Sequence, residues 1–238
     1  MPDVADHSYR YTFSFADGQN IVCQVNLDPV TLDYLPPAGQ ELPAWAQNES
    51  WPCTECELLP KPGAQCQLIQ NIAQVVLQFR DVASFDRVDV TVESVDRTVS
   101  RQQIPVQEAL SSVLGIIMVT SGCPTLDLLR PMTRLHLPFA NLEETIFRAA
   151  STYLLAQYFR RKRGMSADWD LVKLRSIYRR IGAINNSLCE FLRHAVTQDA
   201  NLNAVIVLDT FGQVLTDSIE AELAQFEHLF RPYLLEDS

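Results

Sequence analysis

The sequence has no apolar stretch long enough to cross a membrane and no secretion signal. Its longest apolar run is Val113 to Val119, whereas a membrane helix needs about 20 apolar residues. The first residues, Met1, Pro2 and Asp3, include an acid and begin no apolar segment. We therefore expect a soluble, cytoplasmic protein without a membrane partner.

The chain also lacks the common catalytic motifs. It contains no His-x-x-x-His, no Gly-x-Ser-x-Gly and no glycine-rich phosphate loop. Only four histidines occur among 238 residues, which lowers the expectation of hydrolytic metal catalysis. Hydrophobic residues make up 47% of the chain and charged residues 20%, so the composition is that of a folded globular protein.

Positive charge is scarce except in one stretch. Residues 1–60 hold nine acids and one base, residues 148–180 hold nine bases and two acids, and residues 181–238 hold nine acids and two bases. The net charge of −10 argues against a dedicated nucleic-acid-binding protein, because phosphate contacts need accumulated positive charge. We expect the acidic ends to fold back onto the basic stretch, within the molecule or across a dimer. The basic side chains concerned are Arg160, Arg161, Lys162, Arg163, Arg175, Arg179 and Arg180.

Hydrophobic periodicity predicts an α+β fold. Alternation predicts a hairpin over 9–15 and 21–27 and a strand over 87–93 that 98–101 can pair with. Helical spacing predicts helices over 66–79, 106–120, 141–163 and 168–192, and a last helix from about 203. Tyr158 and Trp169 are expected to face inward. The chain is divided into an N-terminal hairpin and proline-rich loop, 1–62, and a mainly helical body with a short strand pair, 63–238.

Four of the six cysteines have a spacing that suits a metal site. Cys53 and Cys56 form a Cys-x-x-Cys pair, in which two thiolates can share one metal ion. Cys66 begins a predicted helix and Cys123 follows the end of another, so their thiolates can converge with the pair. These four residues predict a tetrahedral zinc site that would hold the proline-rich loop against two core helices.

Other interpretations of the cysteines remain open. An iron–sulfur cluster uses the same ligands, although zinc is the preferred metal. Cys53 and Cys56 can also be a redox-active pair. A structural disulfide is disfavoured in a chain without a secretion signal. Cys23 and Cys189 are expected to be ordinary buried thiols.

Several motifs resemble those of a family of uncharacterised bacterial proteins. The resemblance covers roughly residues 50–190. Its motifs are the run from Ser111 to Met118, Ser121-Gly122-Cys123-Pro124, His136 to Ala140, Glu143-Glu144-Thr145 and Tyr153 to Phe159. Members of that family carry a Cys-x-x-Cys, a further cysteine and the cysteine of Ser-Gly-Cys-Pro. The resemblance implies that Cys53, Cys56, Cys66 and Cys123 form one set, and it implies no activity.

The family pattern is not followed at every position. Proline often comes after the second and third cysteines of the family, whereas this chain has Glu57 and Gln67 there. The turns around these two cysteines are therefore expected to differ from those of the family.

Polar side chains also concentrate between residues 136 and 157. They are His136, Glu143, Glu144, Arg148, Tyr153 and Gln157. One interpretation is a pocket in which His136 is a base or ligand, Glu143 is its partner and Arg148 binds an anion. The other is a helix cap, formed by Asn141 and Glu144, with a buried polar network that links the cap to the metal-bound helix.

The preferred functional hypothesis is a zinc-stabilised cytoplasmic protein that acts through protein contacts rather than as an enzyme. A homodimer through the amphipathic C-terminal helix is one such contact. The alternatives are an enzyme or ligand sensor that uses the polar pocket, and a thiol redox sensor that uses Cys53 and Cys56. A cavity that reaches His136 would favour the pocket, whereas Phe139 and Tyr153 filling that space would disfavour it.

Overall fold

One antiparallel sheet contains the described strands. The computed structural model describes residues 7–39, 41–47, 53, 55–56 and 65–235. The strands are β1 His7–Phe15, β2 Asn20–Leu27, β3 Tyr34–Leu35, β4 Arg87–Glu93 and β5 Thr98–Pro105. Their order in the sheet is β3-β2-β1-β4-β5. Since β4 pairs with β1, the strand pair of the helical body extends the N-terminal hairpin into a five-stranded sheet.

The inner face of the sheet is built from alternating apolar side chains, as the sequence predicts. Its buried members are Tyr9, Tyr11, Phe13, Cys23, Val25, Val88, Val90 and Val92. The register places Phe13 opposite Val90, and side chains that are opposite each other on one face stabilise a strand pair. Phe13 also packs edge-on against Phe79, with ring centroids 4.8 Å apart, so the sheet is fastened to the end of the first helix.

Helices form the rest of the described chain. They are α1 Gln67–Gln78, α2 Val106–Val119, α3 Leu142–Lys162, α4 Val172–Leu192, α5 Ala200–Asp217, α6 Ile219–Ala224 and α7 Arg231–Leu234. Three 3-10 segments, Ala44–Ala46, Leu126–Leu135 and Glu227–Phe230, connect them. Helix α2 is apolar on nearly all sides and packs against α1, α5 and the sheet, and α5 lies between α2 and α4. The predicted α+β architecture is confirmed.

The start of α3 follows its predicted signal. The side chain of Asn141 accepts a hydrogen bond from the backbone N–H of Glu144 at 2.8 Å, and the carboxylate of Glu144 accepts one from the backbone N–H of Asn141 at 2.9 Å. This reciprocal pair is a complete capping box. The helix ends just before Gly164, whose φ of +70° suits a residue without Cβ.

Two side chains predicted to face inward are exposed. Tyr158 is 45% exposed and Trp169 is 48% exposed, so both predictions are wrong. The buried side of α3 runs through Ile146, Tyr153 and Gln157, which is rotated away from Tyr158. Trp169 precedes α4, which begins at Val172 and not at Asp168, so helical spacing does not apply to it.

The predicted C-terminal helix is broken. Helix α5 ends at Asp217, and after Ser218 the chain continues as two short helices and a 3-10 segment. The interruption lets Phe226 pack edge-on against Phe147 of α3, with centroids 5.3 Å apart. None of the helices in the described ranges is long and apolar enough to cross a membrane.

The acidic ends of the chain contact the basic stretch within one molecule, as expected. Arg180 Nε lies 2.9 Å from a carboxylate oxygen of Glu55. Arg175 forms an ion pair with Glu220. The first pair joins the N-terminal acidic block to α4, and the second joins the C-terminal acidic block to the same helix.

Candidate functional site

The four cysteines of the predicted metal set lie at the ends of local elements. Cys66 is the N-cap residue of α1. Cys123 follows the C-terminal end of α2, beyond Gly122, which has a φ of +73°. The backbone N–H of Cys56 donates to the carbonyl oxygen of Cys53 at 3.3 Å, so these two residues share a turn. Each thiol therefore lies in a loop or at a helix end rather than inside a helix.

The four thiols lie within electrostatic reach of one another. Burial raises the pKa of Cys53 and Cys123, and it raises the pKa of Cys66 to about 11. Neighbouring thiols raise these values further: Cys56 and Cys123 act on Cys53, and Cys123 and Cys53 act on Cys66. Cys56 likewise acts on Cys123. Backbone N–H groups oppose the rise at each of the three thiols.

In the described part of the chain the four thiols do not form a ready-made metal site. Within residues 7–39, 41–47, 53, 55–56 and 65–235, no group of three or more His, Cys, Asp and Glu side chains could hold one. Much of the loop between the second and third cysteines of the set, including 57–64, lies outside the described residues. The donor set still suits zinc chemically, because soft thiolates are preferred zinc ligands. Cys23 and Cys189 are buried free thiols, as predicted.

A cavity reaches the predicted polar cluster. It has a volume of about 540 Å³ and lies between α2, the 126–135 segment, α3, α4 and α5. His136 and Arg148 both line it. Phe139 forms part of its wall without filling it. Most of the lining is apolar, including Ile116, Met118, Leu129, Ile181, Leu208 and Phe211.

His136 joins the cavity to the sheet. Its Nε2 lies 2.5 Å from the hydroxyl of Tyr11, which in turn lies 3.0 Å from Ser112 Oγ. Burial lowers the pKa of His136 to about 3, and the charge of Arg148 acts in the same direction. The imidazole is therefore neutral near pH 7. A general base works best when its pKa lies near the operating pH. With a pKa of about 3, His136 suits binding better than proton abstraction.

Arg148 places a positive charge at the cavity wall beside His136, and Arg101 and Glu108 also line the cavity. Its Nη2 donates to the carbonyl oxygens of Met132 at 2.9 Å and Leu135 at 3.3 Å. Burial lowers the pKa of Arg148, yet a guanidinium remains protonated in proteins. In the part of the chain that the structure describes, no carboxylate forms an ion pair with Arg148, and Glu144 acts on it only from a longer distance.

The two predicted glutamates lie outside this cavity. Glu143 and Glu144 are exposed, and Glu144 is used by the capping box. Neither lines the cavity with His136. The structure therefore does not bring Glu143 and His136 together as an acid–base pair.

Tyr153 and Gln157 belong to a second cavity, of about 260 Å³. The Tyr153 hydroxyl donates to Asp168 Oδ2 at 2.6 Å, and Gln157 Oε1 accepts from the backbone N–H of Asp168 at 3.0 Å. Asp168 Oδ2 also accepts from the backbone N–H of Lys173 at 2.8 Å. These residues form a polar network that links α3 to the start of α4.

Sequence reasoning missed the residues that α4 brings to the main cavity. Tyr178, Ile181 and Asn185 line it from α4, and Asn185 Nδ2 donates to Asp209 Oδ1 of α5 at 3.2 Å. The available signal was Asn185, an amide one turn beyond Ile181 on an otherwise apolar helix stripe. A buried amide at such a position needs partners.

Comparison with known proteins gives a family and no activity. No curated protein and no solved structure matches the chain. The family described as "Domain of unknown function (DUF6901)" matches residues 9–231. This range includes the sheet apart from the first two residues of β1, all six cysteines and every residue of the main cavity named above. The chain therefore belongs to the DUF6901 family.

Proposed function

We propose that this protein binds a small molecule in the cavity lined by His136 and Arg148. The observation that carries the proposal is the cavity itself, which reaches His136 and is not filled by Phe139 or Tyr153. Its volume of about 540 Å³ is in the range of small-molecule sites, which are mostly apolar with a few fixed polar groups. Binding and sensing fit the neutral His136 better than acid–base chemistry does.

A fluorescence titration with anilinonaphthalene sulfonate tests this proposal. The probe is an aromatic anion whose emission rises in an apolar site. Val207 lines the cavity and is partly buried, whereas the neighbouring Ile206 is 43% exposed and does not line it. Val207→Trp should fill part of the cavity, and Ile206→Trp is the matched control.

We expect the wild type and Ile206→Trp to bind the probe with the same affinity. Val207→Trp should bind at least about tenfold more weakly, since a blocked cavity loses the apolar burial of the ligand. Equal affinity of all three proteins, or no binding by a cooperatively folded wild type, would contradict the proposal.

A second proposal concerns the four cysteines, which we propose bind one structural zinc ion. The mutual electrostatic influence of the four thiols supports it. Thiolate ligation would hold the loop at Cys53 and Cys56 against the ends of α1 and α2, and a cytoplasmic location would keep the thiols reduced. An iron–sulfur cluster and a redox-active Cys53–Cys56 pair are the alternatives.

Elemental analysis with an absorption spectrum separates these alternatives. One zinc per chain in a colourless sample, lost in Cys123→Ser and retained in the buried-thiol control Cys189→Ser, is the expected result. Iron with visible absorbance would contradict the zinc proposal and indicate an iron–sulfur cluster. An absence of metal, with a disulfide forming between Cys53 and Cys56 under mild oxidant, would contradict the zinc proposal and indicate a thiol redox sensor.

The protein contact proposed from the sequence is a homodimer through the C-terminal segment. Exposed apolar side chains of this segment support it: Leu229, Phe230, Tyr233, Leu234 and Leu235. Light scattering should give a dimer mass for the wild type and a monomer mass for Tyr233→Ser with Leu234→Ser. A monomeric wild type would contradict it.

A further inference from the structure

The guanidinium of Arg148 is a fixed positive charge without a paired carboxylate. Its two carbonyl bonds, to Met132 and Leu135, hold it at the cavity wall. Among the described residues no acid lies within ion-pair distance, and the carboxylate that acts on the pKa of Arg148, that of Glu144, belongs to an exposed side chain. An anionic oxygen, of a carboxylate or a phosphate, is a strong partner for such a group.

A second residue of the cavity wall, Asn185, has a side-chain oxygen that lacks a hydrogen-bond donor. Asn185 is 2% exposed, and its Oδ1 has no hydrogen-bond partner. The orientation of this amide is fixed, because its Nδ2 faces Asp209 Oδ1 and a carboxylate can only accept. Gln213 Nε2 donates to the other oxygen of Asp209 at 2.7 Å, which holds the carboxylate in place. Asn185 Oδ1 therefore presents an acceptor that needs a donor.

Helix α4 sets the spacing between these two groups. Tyr178 and Asn185 both line the cavity, and seven residues of α-helix separate them by about 10 Å along the axis. The charge of Arg148 acts on Tyr178, so the cation lies near the Tyr178 end. Ile181 lies between these two residues in α4 and lines the cavity, as does Leu208 of α5. The wall thus runs from a cation, over apolar side chains, to a hydrogen-bond acceptor.

We infer that the cavity binds an elongated organic carboxylate with a hydroxyl or amide N–H far from its carboxylate group, the carboxylate pairing with Arg148 and the donor with Asn185 Oδ1. This inference rests on the proposed function and adds the class of ligand. The lining also holds one further cation, Arg101, and one acid, Glu108, so its single net positive charge favours a monoanion over a phosphate ester, which carries more charge.

Calorimetric titration of the full chain with three related probes tests the inference. The probes are ω-hydroxydodecanoate, which carries both groups, dodecanoate, which lacks the hydroxyl, and dodecanediol, which lacks the carboxylate. We expect the wild type to bind ω-hydroxydodecanoate about tenfold more tightly than dodecanoate, because the hydroxyl satisfies Asn185 Oδ1. Both carboxylates should bind at least tenfold more tightly than the diol.

Variants assign these preferences to residues. Arg148→Met should weaken binding of both carboxylates at least tenfold and leave the diol unchanged, and Arg148→Lys should restore part of the loss. Asn185→Leu should remove the preference for ω-hydroxydodecanoate over dodecanoate. Arg161→Met, on the exposed side of α3, is the matched control and should bind as the wild type does.

The outcomes separate the inference from the proposed function. If the wild type binds all three probes equally, the cavity is an apolar site and the inference is wrong while the proposed function stands. If none of the three probes and no anilinonaphthalene sulfonate binds, the proposed function fails. The probe comparison needs only the wild type, so a variant that does not fold leaves the test intact.

Discussion

The buried histidine at the cavity makes the stability of the protein depend on pH. The pKa of His136 is about 3 in the folded protein and about 6.5 in an unfolded chain. Between these values the unfolded chain binds a proton that the folded protein does not, so stability falls as the pH falls. The expected loss from this group is up to about 1.4 kcal/mol per pH unit below roughly pH 6.

Denaturant unfolding at about pH 7 and about pH 5 checks this expectation. His136→Gln cannot titrate, so its free energy of unfolding should fall less steeply with pH than that of the wild type. The loss of the Tyr11 contact lowers the stability of the variant at both pH values and does not change the slope. Identical slopes in the two proteins would contradict the burial of a neutral His136.

A single carboxylate joins two helices at the second cavity. Asp168 accepts from the Tyr153 hydroxyl and from the backbone N–H of Lys173. Asp168→Ala should lower the free energy of unfolding by about 1–2 kcal/mol, as expected for the loss of two hydrogen bonds that leaves the Tyr153 hydroxyl unpaired. Asp170→Ala, an exposed acid two residues later, should change it by less than about 0.5 kcal/mol. Equal effects in a thermal or denaturant melt would contradict this role.

At the scale of elements, one aromatic contact fastens the sheet to the helices. Phe79, just after α1, is fully buried against Phe13 of β1. Phe79→Ala should destabilise the protein by about 3–5 kcal/mol, the usual cost of emptying a buried aromatic site. Phe85→Ala is the control, because Phe85 is 73% exposed, and denaturant unfolding should show a change below about 0.5 kcal/mol. Similar losses in both variants would be inconsistent with this packing.

The elements themselves follow closely from the sequence where local signals are strong. The strand over 87–93 and the capping box at Asn141 were predicted residue by residue, because alternation and capping depend on neighbouring residues alone. The break after Asp217 was not predicted, since the apolar spacing continues through it. It depends on Phe226 reaching Phe147, a contact between distant parts of the chain.

The fold divides the predicted polar cluster between two cavities, because contacts between distant parts of the chain decide which side of a helix is buried. His136 and Arg148 face the main cavity, whereas Tyr153 and Gln157 face the second. The sequence suggests one cluster because these residues are close along the chain. In the structure they face different cavities, because they lie on different sides of α3 or before it. Asn185 lines the same cavity from α4, and although its place on an apolar helix stripe marks it as a buried amide, no local pattern indicates which distant residues it meets.

At the scale of the whole molecule, an ion pair and a zinc ion are the two interactions that could attach the segment with Cys53 and Cys56 to the helices. The ion pair between Glu55 and Arg180 is partly exposed, so Glu55→Gln should cost no more than about 1 kcal/mol and less at high salt. A four-cysteine zinc ion would contribute far more, since structural zinc binds with about 10 kcal/mol or more. Chelation should therefore lower the melting temperature much more than Glu55→Gln does. A chelator effect no larger than that of the variant would contradict the zinc proposal.

The central claim is that the cavity between α2 and α5 is a ligand site. Its most direct test is nuclear Overhauser spectroscopy on methyl-labelled protein with bound dodecanoate. We expect contacts from the acyl chain to the methyl groups of Ile116, Ile181 and Leu208, which line the cavity. Contacts confined to exposed side chains such as Leu229 and Leu234, or no contacts at saturating ligand, would contradict the claim.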